Sequence, residues 1–132
     1  MIYLLDVNAL VALGFAHHEF HDRVAHWVRT RHRLSLATCS ITELGFIRVL
    51  AQVPGSGLNI AQARTALLRI KAADDTTFSF IPDDHDVSNL PGWVKTPKQT
   101  TDGHLARLAI SHGAVLATLD TKIPEAYVIP SR

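Results

Sequence analysis

The first ten residues, MIYLLDVNAL, constrain the fold more than any other segment of the chain. Residues 2–5 are all apolar, which is typical of a strand buried on both faces in a parallel sheet covered by helices. Asp6 follows at the carboxyl end of that strand, where open α/β sheets bind their ligands. Asn8 adds an amide that can position a carboxylate or a water. Either residue could instead only cap the next helix, because both types are common N-caps.

Strand and helix patterns alternate along the rest of the chain. Strands are predicted at residues 2–5, 34–37, 77–81, 114–118 and 126–129, and helices at 7–15, 21–31, 40–52, 60–73 and 102–112. Pro54 and the turn Gly55-Ser56-Gly57 end the third helix, and residues 83–101 should form a short helix and an exposed loop. This alternation predicts the α/β class: one domain over residues 1–132, with three α/β/α layers and a central, mostly parallel sheet.

Composition says less about the function of the chain than about its fold. A chain of 132 residues can bury a core without disulfides, and its one cysteine, Cys39, excludes an internal disulfide and a cysteine-rich zinc site. No apolar run approaches the roughly 18 residues of a membrane span, and the start lacks a signal-peptide pattern, so we expect a cytoplasmic protein without a membrane partner. The net charge of +1 neither indicates nor excludes nucleic-acid binding.

Four acids in apolar surroundings lie at junctions between the predicted elements: Asp6, Glu43, Asp102 and Asp120. In a parallel sheet these junctions meet at one edge, where carboxylates without counter-charges would repel each other and bind protons more tightly. A hard divalent cation such as Mg²⁺ or Mn²⁺ relieves that repulsion and is bound by oxygen ligands. The four acids are therefore predicted metal ligands and catalytic residues of a site that supports phosphodiester hydrolysis.

Each acid also has a structural alternative. The sequence from Ser40 to Glu43 fits the capping box S-x-x-E at a helix start. Asp102 could be an acid placed favourably in the first turn of a helix, and Asp120 could be a turn residue. These alternatives account for the acids one at a time, whereas a shared metal ion accounts for all of them together.

Four segments, in order along nearly the whole chain, carry a family resemblance: LLDVN at residues 4–8, SITEL at 40–44, TDGHLA at 101–106 and ATLD at 117–120. Together they resemble the PIN-domain family and, within it, the VapC-type toxins of bacterial and archaeal toxin–antitoxin pairs. The resemblance implies a PIN fold and a Mg²⁺- or Mn²⁺-dependent endoribonuclease that cleaves RNA with a metal-activated water. It also implies that the four acids surround the metal and that Asn8 and Thr118 orient them.

The resemblance further implies partners. Family members are commonly homodimers and are silenced by an antitoxin encoded beside them, so we expect RNA, a cognate antitoxin and a second copy of the chain as partners. The RNA target does not carry over, because no firm RNA-binding motif matches. Two other functions stay open: a PIN-type RNA-processing nuclease without an antitoxin, and a non-catalytic binding module whose acids are only helix caps.

Several further residues are candidates for substrate contacts. Lys95 and Lys98 flank Trp93, and cations around an aromatic ring suit single-stranded RNA, although an ordinary loop anchored by a buried tryptophan has the same pattern. Arg48 lies one helical turn beyond Glu43 and could bind an acid or a phosphate.

The histidines and the cysteine suggest weaker alternatives. His17 and His21 have the spacing of a zinc pair on a helix, but the order H-E-x-x-H is absent and the segment spans a predicted break. The sequence leaves open whether His17, His18 and His21 do more than pack. Cys39 could be a nucleophile, but a single cysteine beside an apolar strand is typical of a small buried residue.

Overall fold

The computed structural model of the chain describes residues 1–54 and 57–131. Its strands are β1 (Ile2–Leu5), β2 (Leu34–Thr38), β3 (Thr76–Phe80), β4 (Ala114–Thr118) and β5 (Ala126–Val128). Its helices are α1 (Val7–Gly14), α2 (His21–Thr30), α3 (Ser40–Gln52), α4 (Ile60–Lys71) and α5 (Thr100–Ser111). The segment predicted to be irregular contains two 3-10 turns, Val87–Asn89 and Pro97–Gln99. Gly55 and Ser56 of the predicted turn lie outside the described residues. None of the helices in the described ranges is long and apolar enough to cross a membrane.

The five strands form one sheet in the order β3-β2-β1-β4-β5, and every neighbouring pair is parallel. The chain builds outward from β1 in one direction through β2 and β3, and then in the other direction through β4 and β5. The order therefore reverses between β1 and β4, which is where open α/β sheets leave a ligand-binding crevice beyond their carboxyl ends. Asp6 follows β1 and Asp120 follows β4, so these two acids flank the reversal point.

Helices cover both faces of the sheet because successive strand residues point to opposite sides. Leu5 packs into a core with Leu10 of α1 and Trp27 of α2, and helices α3 and α4 also contribute to this core. Leu4 packs into a second core with Leu105 and Leu108 of α5. The predicted three-layer α/β/α class with a parallel central sheet is confirmed.

Two local predictions at helix starts are corrected by the structure. Helix α3 begins at Ser40, so its N-cap is Cys39 and the capping partner is Thr42, whose hydroxyl accepts the Cys39 N–H at 3.0 Å. Glu43 lies one residue beyond the capping position, so the alternative of a Ser40–Glu43 capping box is wrong. Helix α5 begins at Thr100, two residues earlier than predicted, because the 3-10 turn at 97–99 leads directly into it. Asp102 is therefore the third residue of α5 instead of the first.

A glycine next to Asp102 lets the loop before α5 approach the helix closely. A Cβ atom at Gly103 would lie 2.3 Å from Cγ2 of Val94 and 3.2 Å from Cδ of Pro91. Valine and proline side chains have little freedom to move aside. The absence of a side chain at residue 103 therefore allows the loop to pack against the first turn of α5, which carries Asp102.

Candidate active site

Asp6 is held at the carboxyl end of the central strand by both its backbone and its side chain. Its N–H donates to the carbonyl of Ala117 at 2.9 Å, which continues the pairing of β1 with β4. The side chain is buried; Oδ1 accepts the N–H of Val7 at 2.8 Å, and Oδ2 accepts the hydroxyl of Thr118 at 2.8 Å. The capping contact expected as an alternative does form, but each carboxylate oxygen has a second lone pair available for another ligand.

Thr118 links the polar groups on the two strands that flank the reversal point. Its side chain is fully buried, and while its hydroxyl donates to Asp6, its oxygen accepts the amide of Asn8 at 3.2 Å and the N–H of Asp120 at 3.1 Å. Asn8 in turn accepts the N–H of Leu119 at 3.2 Å through its Oδ1. One threonine hydroxyl therefore fixes Asp6, Asn8 and the backbone of Asp120 relative to one another.

Asp6, Asp102 and Asp120 are electrostatically coupled. The pKa of Asp102 is raised to about 6, mainly by burial and also by the negative charges of Asp6 and Asp120. Burial also raises the pKa of Asp6; the hydrogen bonds from Thr118 and Val7 oppose this change, and the charge of Asp120 adds to it. The three carboxylates thus form an environment that is unfavourable for negative charge and would be stabilised by a cation.

The three aspartates and Asn8 line one cleft with a volume of about 730 Å³. Asp120 also holds the turn that follows β4, because its Oδ1 accepts the N–H of Lys122 at 2.8 Å. The turn contact expected as an alternative for Asp120 therefore forms, and the residue still faces the cleft. Of the described residues that line this cleft, none is lysine or arginine.

Glu43, the fourth predicted acid, is paired elsewhere. Its Oε2 accepts the hydroxyl of Thr38 at 2.6 Å and the ammonium of Lys71 at 2.5 Å. Within residues 1–54 and 57–131, the lining of the cleft that holds the three aspartates does not include Glu43. The structure therefore brings together three of the four predicted acids and gives the fourth a lysine partner. The pairing of Lys71 with Glu43 could not be predicted, because no local sequence pattern connects residues 28 positions apart.

The donors present in the cleft fit a hard divalent cation. Carboxylate and amide oxygens are the ligands that Mg²⁺ and Mn²⁺ prefer. In the part of the chain that the structure describes, no group of three or more His, Cys, Asp or Glu side chains is arranged to hold a metal ion. Mg²⁺ keeps several waters and is usually bound through one or two carboxylates, so the residues fit a partly hydrated ion.

Comparison with known proteins identifies the family. A family model described as PIN domain matches residues 3–129. This chain belongs to the PIN-domain family. Ribonuclease VapC38 of Mycobacterium tuberculosis is 39% identical over 129 residues, covering 91% of this chain and 86% of that protein. Ribonuclease VapC29 of the same organism is 35% identical over 122 residues, covering 92% of this chain and 87% of that protein.

A solved structure shares the fold of this PIN domain. VapC20 of Mycobacterium tuberculosis, a Sarcin-Ricin loop cleaving toxin, aligns with a TM-score of 0.65 at 14% identity. The alignment covers 97% of this chain and 99% of that chain. At this identity the likeness concerns the fold. The predicted membership of the PIN-domain family, with VapC-type ribonucleases as relatives, is confirmed.

The residues predicted to contact substrate lie outside this PIN-domain cleft in the described structure. Arg48 is exposed on α3, and Lys95 and Lys98 are exposed in the loop before α5. Trp93 is half-buried, and its indole N–H donates to Glu125 at 2.8 Å, which anchors the loop. The proposed contacts of Arg48, Lys95, Lys98 and Trp93 with RNA stay predictions.

The zinc and cysteine alternatives are not favoured by the structure. Helix α2 begins at His21, so His17 and His21 do not lie on one helix, and Nδ1 of His21 donates to the carbonyl of Ala12 at 2.7 Å. His21 therefore ties α2 to α1. His17 and His18 line the cleft that contains the three aspartates.

Cys39 is fully buried at the start of α3, as expected of a structural residue.

Replacing Thr118 with valine should destabilise this PIN domain by about 1–3 kcal/mol. The valine keeps the shape of the side chain but leaves the buried Asp6 oxygen, the Asn8 amide and the Asp120 N–H without their shared partner. Urea unfolding measures the change. Thr118→Ser is the matched control, since it keeps the hydroxyl and should lose only the burial of one methyl group, about 1 kcal/mol. A valine variant at least as stable as the serine variant would contradict the assigned network.

The raised pKa of Asp102 predicts a pH dependence of stability. Folded Asp102 binds a proton more tightly than unfolded Asp102, so its effect on the free energy of unfolding becomes progressively less favourable as pH rises from about 4 to about 6. Without divalent ions, the free energy of unfolding of Asp102→Asn should therefore increase relative to that of the parent as pH rises through this interval. Above about pH 6 the difference between the two proteins should stay constant. Urea unfolding at half-unit pH steps measures both proteins. Parallel pH profiles would show that the pKa of Asp102 is not raised in the folded protein.

Proposed function

We propose that this chain is a Mg²⁺- or Mn²⁺-dependent endoribonuclease and acts as the toxin of a toxin–antitoxin pair. The observation that carries the proposal is the cleft in which Asp6, Asp102 and Asp120 are coupled at the reversal point of a parallel sheet. The names of its relatives, Ribonuclease VapC38 and Ribonuclease VapC29, support RNA as the substrate.

Asp6, Asp102 and Asp120 are the proposed metal ligands. A bound divalent ion would supply a more acidic water and stabilise negative charge on the scissile phosphate. Asp6 and the backbone of Asp120 are held before substrate binds, because Val7 and Thr118 donate to the Asp6 carboxylate and Thr118 accepts the Asp120 N–H. Pre-positioned oxygens lower the cost of organising the site during the reaction.

The remaining predicted residues have proposed supporting roles. Thr118 and Asn8 orient the acids, because they connect β4 to Asp6 through the hydrogen bonds of one hydroxyl. Glu43 would have to leave Lys71 to become a fourth ligand, so in the resting state it supports the site by fixing Thr38 at the end of β2. Lys95, Lys98, Trp93 and Arg48 are proposed contacts for RNA outside the cleft.

The partners and compartment follow from the toxin role. A cognate antitoxin, a homodimer and a cytoplasmic location are part of the proposal, and a small antitoxin reading frame beside the coding sequence would support it. Without such a frame, a PIN-type RNA-processing nuclease is the better description. The relatives share the VapC name with VapC20, a Sarcin-Ricin loop cleaving toxin, and this supports the toxin role. A binding module whose acids only cap helices would gain no stability from divalent ions, since a ligand must bind the folded state to stabilise it.

Asp6→Asn and Asp102→Asn should each lower RNA cleavage by at least about 100-fold, because each removes a negative ligand from the metal site. The assay follows a labelled RNA with Mg²⁺ or Mn²⁺, and a chelator should abolish cleavage by the parent. Asp22→Asn is the matched control, an exposed acid in the first turn of α2 that should cleave like the parent. Unfolding curves check that every variant is folded.

The chemistry of the product ends tests the mechanism separately. Attack by water should leave a 5′-phosphate and a 3′-hydroxyl, with no role for the RNA 2′-hydroxyl as nucleophile. A 2′,3′-cyclic phosphate product would exclude this mechanism. Full activity of Asp102→Asn under limiting metal would remove Asp102 from the ligand set.

A further inference from the structure

The cleft extends well beyond the three aspartates. Val7 and Val11 of α1 and Phe15, which directly follows the helix, lie four residues apart and form one wall about 12 Å long, starting at the end that carries Asp6. The turn at residues 15–20, between α1 and α2, closes the far end of this wall. The acids and this turn therefore line one continuous space.

Four rings are concentrated in that turn. Phe15 and His17 lie 5.7 Å apart at 65°, and His18 and Phe20 lie 6.0 Å apart at 46°. Neither pair is stacked face to face, and the guanidinium of Arg23 lies over the Phe20 ring at 5.9 Å from its centroid. Phe20 is 38% exposed although it is a large apolar side chain. The turn thus offers aromatic surface to a molecule in the cleft.

His18 adds a neutral polar edge to this surface. Its Nδ1 accepts the N–H of Phe20 at 3.0 Å, and this contact requires the unprotonated form of that nitrogen. Burial lowers the pKa of His18, which favours the same neutral state at pH 7. The proton of the neutral ring is then on Nε2, where it can be donated to an acceptor in the cleft.

We propose that the rings of residues 15–20 form a nucleobase pocket that binds the base next to the scissile phosphate. This inference rests on the proposed function, because a phosphodiester held at Asp6, Asp102 and Asp120 has a nucleoside directly attached on each side. The continuous part of the cleft can receive one of those nucleosides beside the rings of Phe15 and Phe20. Stacking on an aromatic side chain contributes about 1–3 kcal/mol per base, and every base has such a face.

The charges and hydrogen-bonding groups of the cleft favour a base over other occupants. The described lining residues include no lysine or arginine, and Glu19 would repel a phosphate. The guanidinium of Arg23, over the Phe20 ring, already donates to the carbonyl of Ile129. An extended protein segment would bring a polar backbone that needs partners along its length. A base is flat and neutral, and the Nε2–H of His18 can donate to an acceptor on its edge.

The test uses a short RNA oligonucleotide with one mapped cleavage site, together with two versions in which the nucleotide on either side of that site is abasic. Phe20→Leu keeps an apolar side chain but removes the ring, and Phe20→Tyr keeps the ring. Ile60→Ala is the matched control, an exposed large apolar residue at the start of α4 that lies outside the cleft.

The KM of the parent should rise on the order of tenfold when the base on one particular side of the cleavage site is missing. Phe20→Leu should show a similar increase in KM with intact RNA and little further change with that abasic RNA, because both changes remove the same contact. Phe20→Tyr and Ile60→Ala should retain the KM of the parent and its response to the abasic RNA.

Two results would overturn the pocket. The first is a Phe20→Leu variant with the KM of the parent and the full abasic effect. The second is a Phe20→Leu variant that cleaves like the parent but no longer forms a complex with the antitoxin expressed from a neighbouring reading frame; the groove would then bind protein. If the parent cleaves no RNA with Mg²⁺ or Mn²⁺, the proposed function fails and the pocket fails with it, whereas the first two results leave the nuclease intact.

Discussion

The burial of neighbouring carboxylates at the carboxyl end of β1 is the constraint on which the rest of the site depends. The sheet places Asp6 beside Thr118 because β1 pairs in parallel with β4, and burial raises the pKa of Asp6 as a result. Hydrogen bonds from Thr118 and Val7 offset part of that cost. Asp102 receives no comparable hydrogen bond among the described residues, and its pKa rises to about 6. A site of this kind is most favourable when a cation is bound.

Much of the fold follows from local sequence patterns. The apolar run at residues 2–5 and the run at 114–118 predict buried strands, and the acids that follow them mark the edge of a parallel sheet. Asp6 and Asp120 could therefore be placed together from sequence, since the position of a residue just beyond a strand depends on little else. The start of α3 shows the limit of this approach. Ser40 and Glu43 match a capping box in which the helix would begin at residue 41, but α3 begins at Ser40 and uses Cys39 and Thr42 as its capping pair.

Long-range contacts could not be predicted in this way. Glu43 lies in a segment that matches the family, yet its direction is set by Lys71 at the end of α4 and by Thr38 at the end of β2. The spacing of His17 and His21 suggested a metal pair or packing. The chain instead turns between them, so His21 ties two helices together while His17 faces the cleft. Which side chains share a cleft depends on how the helices pack, and that information is not local.

The most direct measurement for a shared metal site is anomalous scattering from crystals of the chain soaked in Mn²⁺. A single strong peak in direct contact with carboxylate oxygens from at least two of Asp6, Asp102 and Asp120 is the expected result. A peak at another place on the molecule, or no peak at these acids under saturating Mn²⁺, would contradict the assignment of the cleft as a metal-dependent active site.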